Sequence, residues 1–284
     1  MESHLVSVVV ANYNKEKYLE KCFAAFKHID KGYQYEIIFI DDDSIVAAEE
    51  IFRTLPRQVQ VIKNNENKGP SFCRNIGIRL AKGEYILFLD SDAEMAITAL
   101  QAMEEQMGQY DIIFPLTKFD NGKIKSPIDD FGRKYIMDSV VFLIRRAVLT
   151  EKDIFFDEKM RLVEDADFFL RLKKENTKNL FLDTAVVFHP SVTVLSRDTY
   201  FLKLKNIIRL SLLGMFKHKY KYKMPWIVYL FGNLALYLWI SVTKHNYSYR
   251  GREEEVYNSS RLSLVGLYFK AVFSSFSDIN QIIK

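Results

Sequence analysis

Two aspartates one residue apart, Asp90 and Asp92, follow four consecutive apolar residues, 86–89, which themselves follow a Gly83-Glu84 turn. An apolar run of that length reads as a strand covered on both faces, as in a parallel sheet. Carboxylates belong at its end only where the chain leaves the core, so Asp90-Ser91-Asp92 marks the carboxyl edge. Residues two apart on a strand point the same way, so both carboxylates face one ligand. Open α/β sheets bind ligands outside the carboxyl ends of their strands. Two hard oxygen donors there suit a divalent cation that keeps some waters and also holds phosphates. The plain alternative is that Asp92 caps the helix expected from about residue 97.

The elements that must position this pair read as an alternation. Residues 6–10, Val-Ser-Val-Val-Val, form a short β-branched strand that ends at Asn12-Tyr13-Asn14. Tyr18, Leu19, Cys22, Phe23 and Phe26 follow at helical spacing. A second buried strand, 36–40, ends in Asp41-Asp42-Asp43, and helix 46–55 follows it up to Pro56. Strand 59–62, helix 71–80 and strand 86–89 complete the series. Strand and helix in turn predict a doubly wound sheet with right-handed crossovers. Three strand ends then carry polar clusters along one edge. No G-x-G-x-x-G follows the first strand and no G-x-x-x-x-G-K-[ST] occurs, which takes most of the support from the dinucleotide and P-loop readings.

The 284 residues allow one large domain, or one domain with an appendage. With 49% hydrophobic and 27% charged residues the composition is that of a folded globular chain. The net charge of +4 carries no nucleic-acid signature, and nucleic acid is not expected as a partner. Two cysteines, Cys22 and Cys73, lack metal or redox spacing and fit a reduced setting. The apolar run 6–11 is too short for a signal peptide.

Taken in order, V-S-V-V-V-A-N-Y-N, E-I-I-F-I-D-D-D-S, N-K-G-P-S-F-C-R-N-I-G, G-E-Y-I-L-F-L-D-S-D and E-D-A-D-F-F-L-R-L resemble the inverting family 2 glycosyltransferases. The resemblance covers residues 5 to 190. It implies the GT-A fold, a Rossmann-like, mixed, mostly parallel sheet flanked by helices. It further implies that Asp42 hydrogen-bonds a uracil-type base beside the Ala11-Asn12 backbone. Asp90, with Ser91, approaches the ribose. Asp92 binds Mg²⁺ or Mn²⁺ on the diphosphate. Arg74 lies near the phosphates or sugar, and Asp165 is the catalytic base. Three positions depart from the family pattern. Asp43 stands where Gly is frequent, Ala93 where another Asp is frequent, and a Pro shortly afterwards is missing.

The middle of the chain suits an acceptor half. A strand is expected at 110–115, a hairpin at Asn121-Gly122, another strand at 139–144, and a helix opened by Glu164, Asp165 and Asp167. Carboxylates in a first turn also favour a helix dipole without any catalytic role. Strand 185–189 ends in His189, a candidate for the metal shell as well as a candidate structural residue.

Beyond residue 200 the character changes. Lys217 to Lys223 alternates basic and aromatic residues and leads into the uncharged run 226–242, with Trp and Tyr near both ends. At ~1.5 Å per helical residue this run falls slightly short of a ~30 Å bilayer core. An in-plane or re-entrant helix is expected rather than a full span, with 262–276 as a second amphipathic helix on the same surface. A buried helix or a dimer interface is the alternative. The expected organisation is a catalytic domain over 1–200 and a helical, membrane-associated region over 201–284, on the cytoplasmic face of the membrane. The expected reaction is metal-dependent, inverting transfer of a sugar from a nucleotide-diphosphate sugar, a UDP-sugar by resemblance, to a hydroxyl of a lipid-linked or cell-envelope glycan. A nucleotidyltransferase and an inactive membrane-bound scaffold are the competing readings.

Overall fold

In the computed structural model the described residues are 5–28, 34–46, 52–53, 59–122, 124–125, 141–159, 164–172, 175–190, 192–195, 201, 205, 208, 247–249, 252–256 and 261–277. The first strand, β1 (Val6–Asn12), is buried almost throughout, as its β-branched sequence requires. Parallel neighbours flank it. β2 (Tyr35–Asp41) pairs on one side with Asn12 opposite Asp41, and β4 (Tyr85–Leu89) on the other with Val8 opposite Leu87. β3 (Val59–Lys63) extends the sheet beyond β2, also in parallel. The helices between them are α1 (Glu16–Cys22), followed by a 3₁₀ turn at Ala24–His28, and α2 (Pro70–Leu80). The expected helix at 46–55 falls largely outside the described residues.

Past β4 the sheet becomes mixed. The next elements are β5 (Glu94–Met95), α3 (Ile97–Glu104), β6 (Ile112–Phe119), β7 (Ile124–Lys125), β8 (Val141–Arg145), α4 (Arg146–Thr150), α5 (Glu164–Leu172) and β9 (Asn179–His189). The strand order is β3-β2-β1-β4-β8-β6-β9-β5, with β7 on β6. β8 runs antiparallel to both β4 and β6, whereas β9 is parallel to β6. The expected Asn121-Gly122 turn joins β6 to β7, with Gly122 at φ 81.

Period-two alternation divides the core between two faces. Val8, Phe39, Leu87 and Leu143 pack under Leu19, Phe23, Leu100 and Met103. Val9, Ile38, Phe88 and Phe142 pack under Cys73, Ile78, Phe168 and Phe169. On the second face the Phe156 and Phe168 rings stack with centroids 3.9 Å apart, and Phe142 meets Phe169 edge-on. Aromatic pairs add about 0.5–1.5 kcal/mol each beyond their buried area. They fix α5, and with it the acidic turn at its start, against the sheet.

The chain divides into two compact units, Met1–Lys159 with Glu164–Pro190, and Met160–Val163 with Ser191–Lys284. The sheet just described belongs to the first. In the second, β10 (Val192–Leu195), β11 (Tyr247–Tyr249) and β12 (Arg252–Val256) form a small sheet, followed by α6 (Arg261–Ser277). A helix was expected at 262–276, and α6 occupies that stretch. It buries Tyr268, Ala271 and Ser275 and exposes Phe269 and Phe273. Residues 226–242 lie outside the described residues. Among those described, no helix is long and apolar enough to cross a membrane.

Two features of the first unit give measurable outcomes. Gly77 of α2 sits against β1, where an added Cβ would land inside the Val9 side chain. Gly77→Ala should lower stability by about 1–3 kcal/mol in urea unfolding, the usual range for overpacking. With Val9→Ala making room, the double variant should be more stable than the two single losses predict, and strict additivity would contradict this close approach. At the end of α3, burial pushes the half-buried Glu104 carboxyl up to about 7. The folded state therefore holds that proton more tightly than the unfolded chain does, and stability falls as pH rises from about 4.5 through 7. Glu104→Gln should raise the melting temperature at pH 8 and leave it unchanged at pH 5. An equal gain at both values would show that the effect is not ionisation.

Candidate functional site

The strands β1, β2 and β4 all end on one edge, and every candidate site residue named from the sequence lies in the first unit. The loops after β1 and β2 are tied together. Asn12 Nδ2 donates to Ser44 Oγ at 3.1 Å, the Asn14 N–H donates to the same oxygen at 3.0 Å, and the Ile45 N–H donates to Asn14 Oδ1 at 2.9 Å. Asn14 and Asp43 adopt left-handed backbone angles, φ 53 and φ 67. Asn and Asp are the side-chain-bearing residues that best tolerate that region, so Asp43 does here what Gly does elsewhere in the pattern. Asn12 is buried with its Oδ1 lacking a hydrogen-bond partner among the described residues. Ala11, half-buried, pairs with Ile40 in the sheet.

Asp42 is buried, and the protein supplies its hydrogen bonds. The Lys68 and Gly69 N–H groups donate to it at 2.9 and 2.7 Å, and Asn64 Nδ2 donates at 2.7 Å. The carboxylate therefore fastens the 64–69 loop that leads into α2. The sequence marked Asp42 for a ligand but held no sign of these backbone donors.

Arg74, one turn into α2, reaches two carboxylates. Its guanidinium donates to Asp90 Oδ1 at 2.9 Å and to Glu164 Oε1 at 2.7 Å, and lies over the Phe156 ring. Burial opposes the charge on Arg74, but the two carboxylates outweigh it and hold the proton more firmly than usual. Burial also pushes the Glu164 carboxyl up, with Arg74 pulling the other way. Arg74 was expected near the phosphates or the sugar, and its contacts within the protein are now defined. It joins the D-x-D turn to the first turn of α5, across 90 residues of sequence.

The three carboxylates opening α5 have separate environments. Glu164 meets Arg74, and buried Asp167 accepts from Arg171 Nε at 2.9 Å. Asp165 is half-buried. Successive helical residues turn by ~100°, so Asp165 presents a different side from either neighbour.

Asp92 does not cap α3. That helix begins after Ala96, which makes no side-chain cap. The two-residue strand β5 explains where Asp92 goes instead. It pairs antiparallel with the end of β9, Glu94 opposite Phe188, and so brings the D-x-D turn beside His189. Asp92 Oδ1 lies 3.0 Å from His189 Nε2, and Oδ2 accepts from Lys15 Nζ at 2.8 Å. Burial works against ionisation, yet His189 and Lys15 hold the Asp92 carboxyl well below the usual range. Ser91, between the aspartates, is buried. Lys15 was missed as a site residue. Its position after Asn14 was legible, but its partner lies 77 residues on.

Ligand atoms of Asp90, Asp92 and His189 all lie within 4.8 Å of one another. His189 Nδ1 is 2.9 Å from the Pro190 carbonyl oxygen, the kind of backbone anchor that fixes a ligating imidazole and leaves Nε2 for an ion. Two carboxylates and one imidazole fit a divalent cation of the Mg²⁺ or Mn²⁺ type, the imidazole suiting Mn²⁺ better.

Residues 7–169 match the family described as Glycosyl transferase family 2. The poly(ribitol-phosphate) beta-N-acetylglucosaminyltransferase TarP of Staphylococcus aureus is 28% identical over 200 residues, 63% of this chain and 60% of TarP. Among curated relatives the span runs from 26% of one protein's length to 76% of another's. The crystal structure of S. aureus TarS 1-349 in complex with UDP-GlcNAc superposes with TM-score 0.63 at 20% identity, over 98% of this chain and 81% of that one. The mannosyltransferase PcManGT of Pyrobaculum calidifontis, in complex with GDP-Man and Mn²⁺, gives TM-score 0.58 at 13% identity, over 98% and 76%. These likenesses agree with the mixed, helix-flanked sheet. With its family match spanning more than half of the chain, this protein belongs to glycosyl transferase family 2.

Proposed function

We propose that the protein transfers a sugar, with inversion, from a nucleotide-diphosphate sugar to a hydroxyl of a cell-envelope or lipid-linked glycan, with Mg²⁺ or Mn²⁺ as cofactor. The observation that carries this reading is the gathering of Asp90, Asp92 and His189 at the carboxyl edge of a family 2 fold. A divalent ion held there supplies the positive charge that a leaving diphosphate requires. UDP is the favoured nucleotide. TarS binds UDP-GlcNAc, and the buried, unpartnered Asn12 Oδ1 is an acceptor suited to a base N–H such as that of uracil. Ala11, Asp42 and Ser91 would shape the nucleotide end. Asp42 also holds the 64–69 loop.

Asp165 would take the proton of the attacking hydroxyl. Such a base must stand on the face opposite the leaving group, and α5 is a rigid place for it because aromatic packing and the Glu164–Arg74 pair fix its first turn. The envelope acceptor is supported by TarP, whose acceptor is poly(ribitol phosphate). A membrane-facing second region, 201–284, is supported by the uncharged run 226–242 and by the exposed Phe269 and Phe273 of α6, and the cytoplasmic face is proposed for it from the reduced setting that Cys22 and Cys73 fit. The family match disfavours the nucleotidyltransferase reading.

The test is transfer of sugar from UDP-GlcNAc and related donors to a teichoic-acid-type polymer. Asp165→Asn should bind UDP with Mn²⁺ as the parent does and transfer at least ~10²-fold more slowly, the usual loss of a general base. Asp167→Asn, which loosens the Arg171 pair, should lower stability more than rate. Equal transfer by Asp165→Asn and the parent would defeat the assignment of the base.

A further inference from the structure

The carboxylate of Asp92 has one partner on each oxygen. His189 takes Oδ1, and the Lys15 ammonium takes Oδ2 at 2.8 Å. Lys15 lies in the loop between β1 and α1, immediately before the helix, and makes no cap with its side chain. Its side chain is 42% exposed, against 14% for Asp92, so one end of this pair is held by the fold and the other is a long chain free to swing. The Tyr18 ring flanks the ammonium, with its centroid 5.5 Å away. The Asn14 backbone, fixed at φ 53 and bonded to Ser44, aims the lysine at the strand edge.

A divalent ion ligated by Asp92 and His189 would stand within a few ångströms of this ammonium. Like charges at that distance in a half-buried site repel well above thermal energy. An added anion placed between them relieves the repulsion and keeps both cations in the site, where otherwise the exposed lysine must give up Asp92 and turn to solvent. A diphosphate is such an anion. The local charge therefore favours an arrangement in which ion and diphosphate arrive together and disfavours the ion alone.

We propose that Lys15 couples the two ligands: its ammonium competes with the divalent ion at Asp92 when no nucleotide is present, and turns to the diphosphate when ion and nucleotide bind together. This rests on the metal site proposed above. It assigns Lys15 a binding role, while the ion's ligands remain Asp90, Asp92 and His189. Lys15 thereby makes metal affinity depend on nucleotide, and by reciprocity makes nucleotide affinity depend on metal. An exchangeable ammonium also keeps Asp92 compensated during the interval after the product nucleotide leaves.

The experiment is Mn²⁺ titration of the full chain, read by the spin-resonance signal of free Mn²⁺, with and without UDP, for the parent, Lys15→Met and Lys15→Arg. Lys15→Met should bind Mn²⁺ alone ~10-fold more tightly than the parent, and the enhancement of Mn²⁺ affinity by UDP should shrink by a similar factor. Lys15→Arg keeps the charge and should retain most of the enhancement. Unchanged thermal melting would establish that Lys15→Met folds as the parent does. Equal Mn²⁺ affinity for parent and Lys15→Met without UDP, each of them losing Mn²⁺ on Asp92→Asn, would overturn the role of Lys15 and leave the metal site standing. Absence of Mn²⁺ binding in all three proteins, with and without UDP, would overturn the metal site and this role with it.

Discussion

Four carboxylates, those of Asp42, Asp90, Asp92 and Glu164, gather at one edge of one sheet, and each must be compensated for the edge to exist. An ion taken out of water loses several kcal/mol of hydration, and the loss is offset only by close partners with good geometry. The compensation here is divided by type. Asp42 receives backbone N–H groups and an amide, Asp90 and Glu164 share the Arg74 guanidinium, and Asp92 receives His189 and Lys15. Arg74 is suited to its place because a planar fork can face two carboxylates at once, which an ammonium cannot do with the same fixity. Removing one partner from a buried set of this kind costs about 3–5 kcal/mol. The helix carrying Asp165 therefore depends on the same guanidinium that steadies the D-x-D turn.

The partners differ in how easily they can be exchanged, and that difference separates scaffold from chemistry. The donors to Asp42 belong to the backbone of a loop leading into α2, and Gly77 seats that helix directly on β1. These contacts move only if the sheet face moves. The partners of Asp92 are an imidazole set by its own carbonyl contact and a lysine with an exposed stem. A ligand can replace the lysine without disturbing the core. The exchangeable charge thus sits where a metal and a diphosphate are expected, and the fixed charge sits where position matters.

The fold was largely legible from the sequence. The short β-branched and apolar runs of β1, β2 and β4, bounded by polar turns, read as buried strands, and the Asn-Gly turn between β6 and β7 was marked by its residues alone. The order of polar strand ends indicated one edge and one ligand. What stayed hidden were partnerships across long stretches of chain. Nothing local to Arg74 points to Glu164, and β5 is too short to carry a periodic signal, yet its pairing with β9 is what brings Asp92 to His189. Asp92 had a local alternative as a helix cap, and tertiary pairing overrode it. The uncharged run 226–242, proposed above to face a membrane, lies outside the described residues.

The proposed metal centre is the point on which the proposed chemistry turns, and one spectrum addresses it directly. Electron spin-echo envelope modulation of Mn²⁺ bound to the full chain with UDP should show nitrogen coupling from His189 Nε2 together with phosphorus coupling from the diphosphate. The nitrogen signal should vanish in His189→Ala while the phosphorus signal remains. A bound Mn²⁺–UDP complex without nitrogen coupling, or with nitrogen coupling that survives His189→Ala, would contradict the assignment of Asp90, Asp92 and His189 as the ion's ligands.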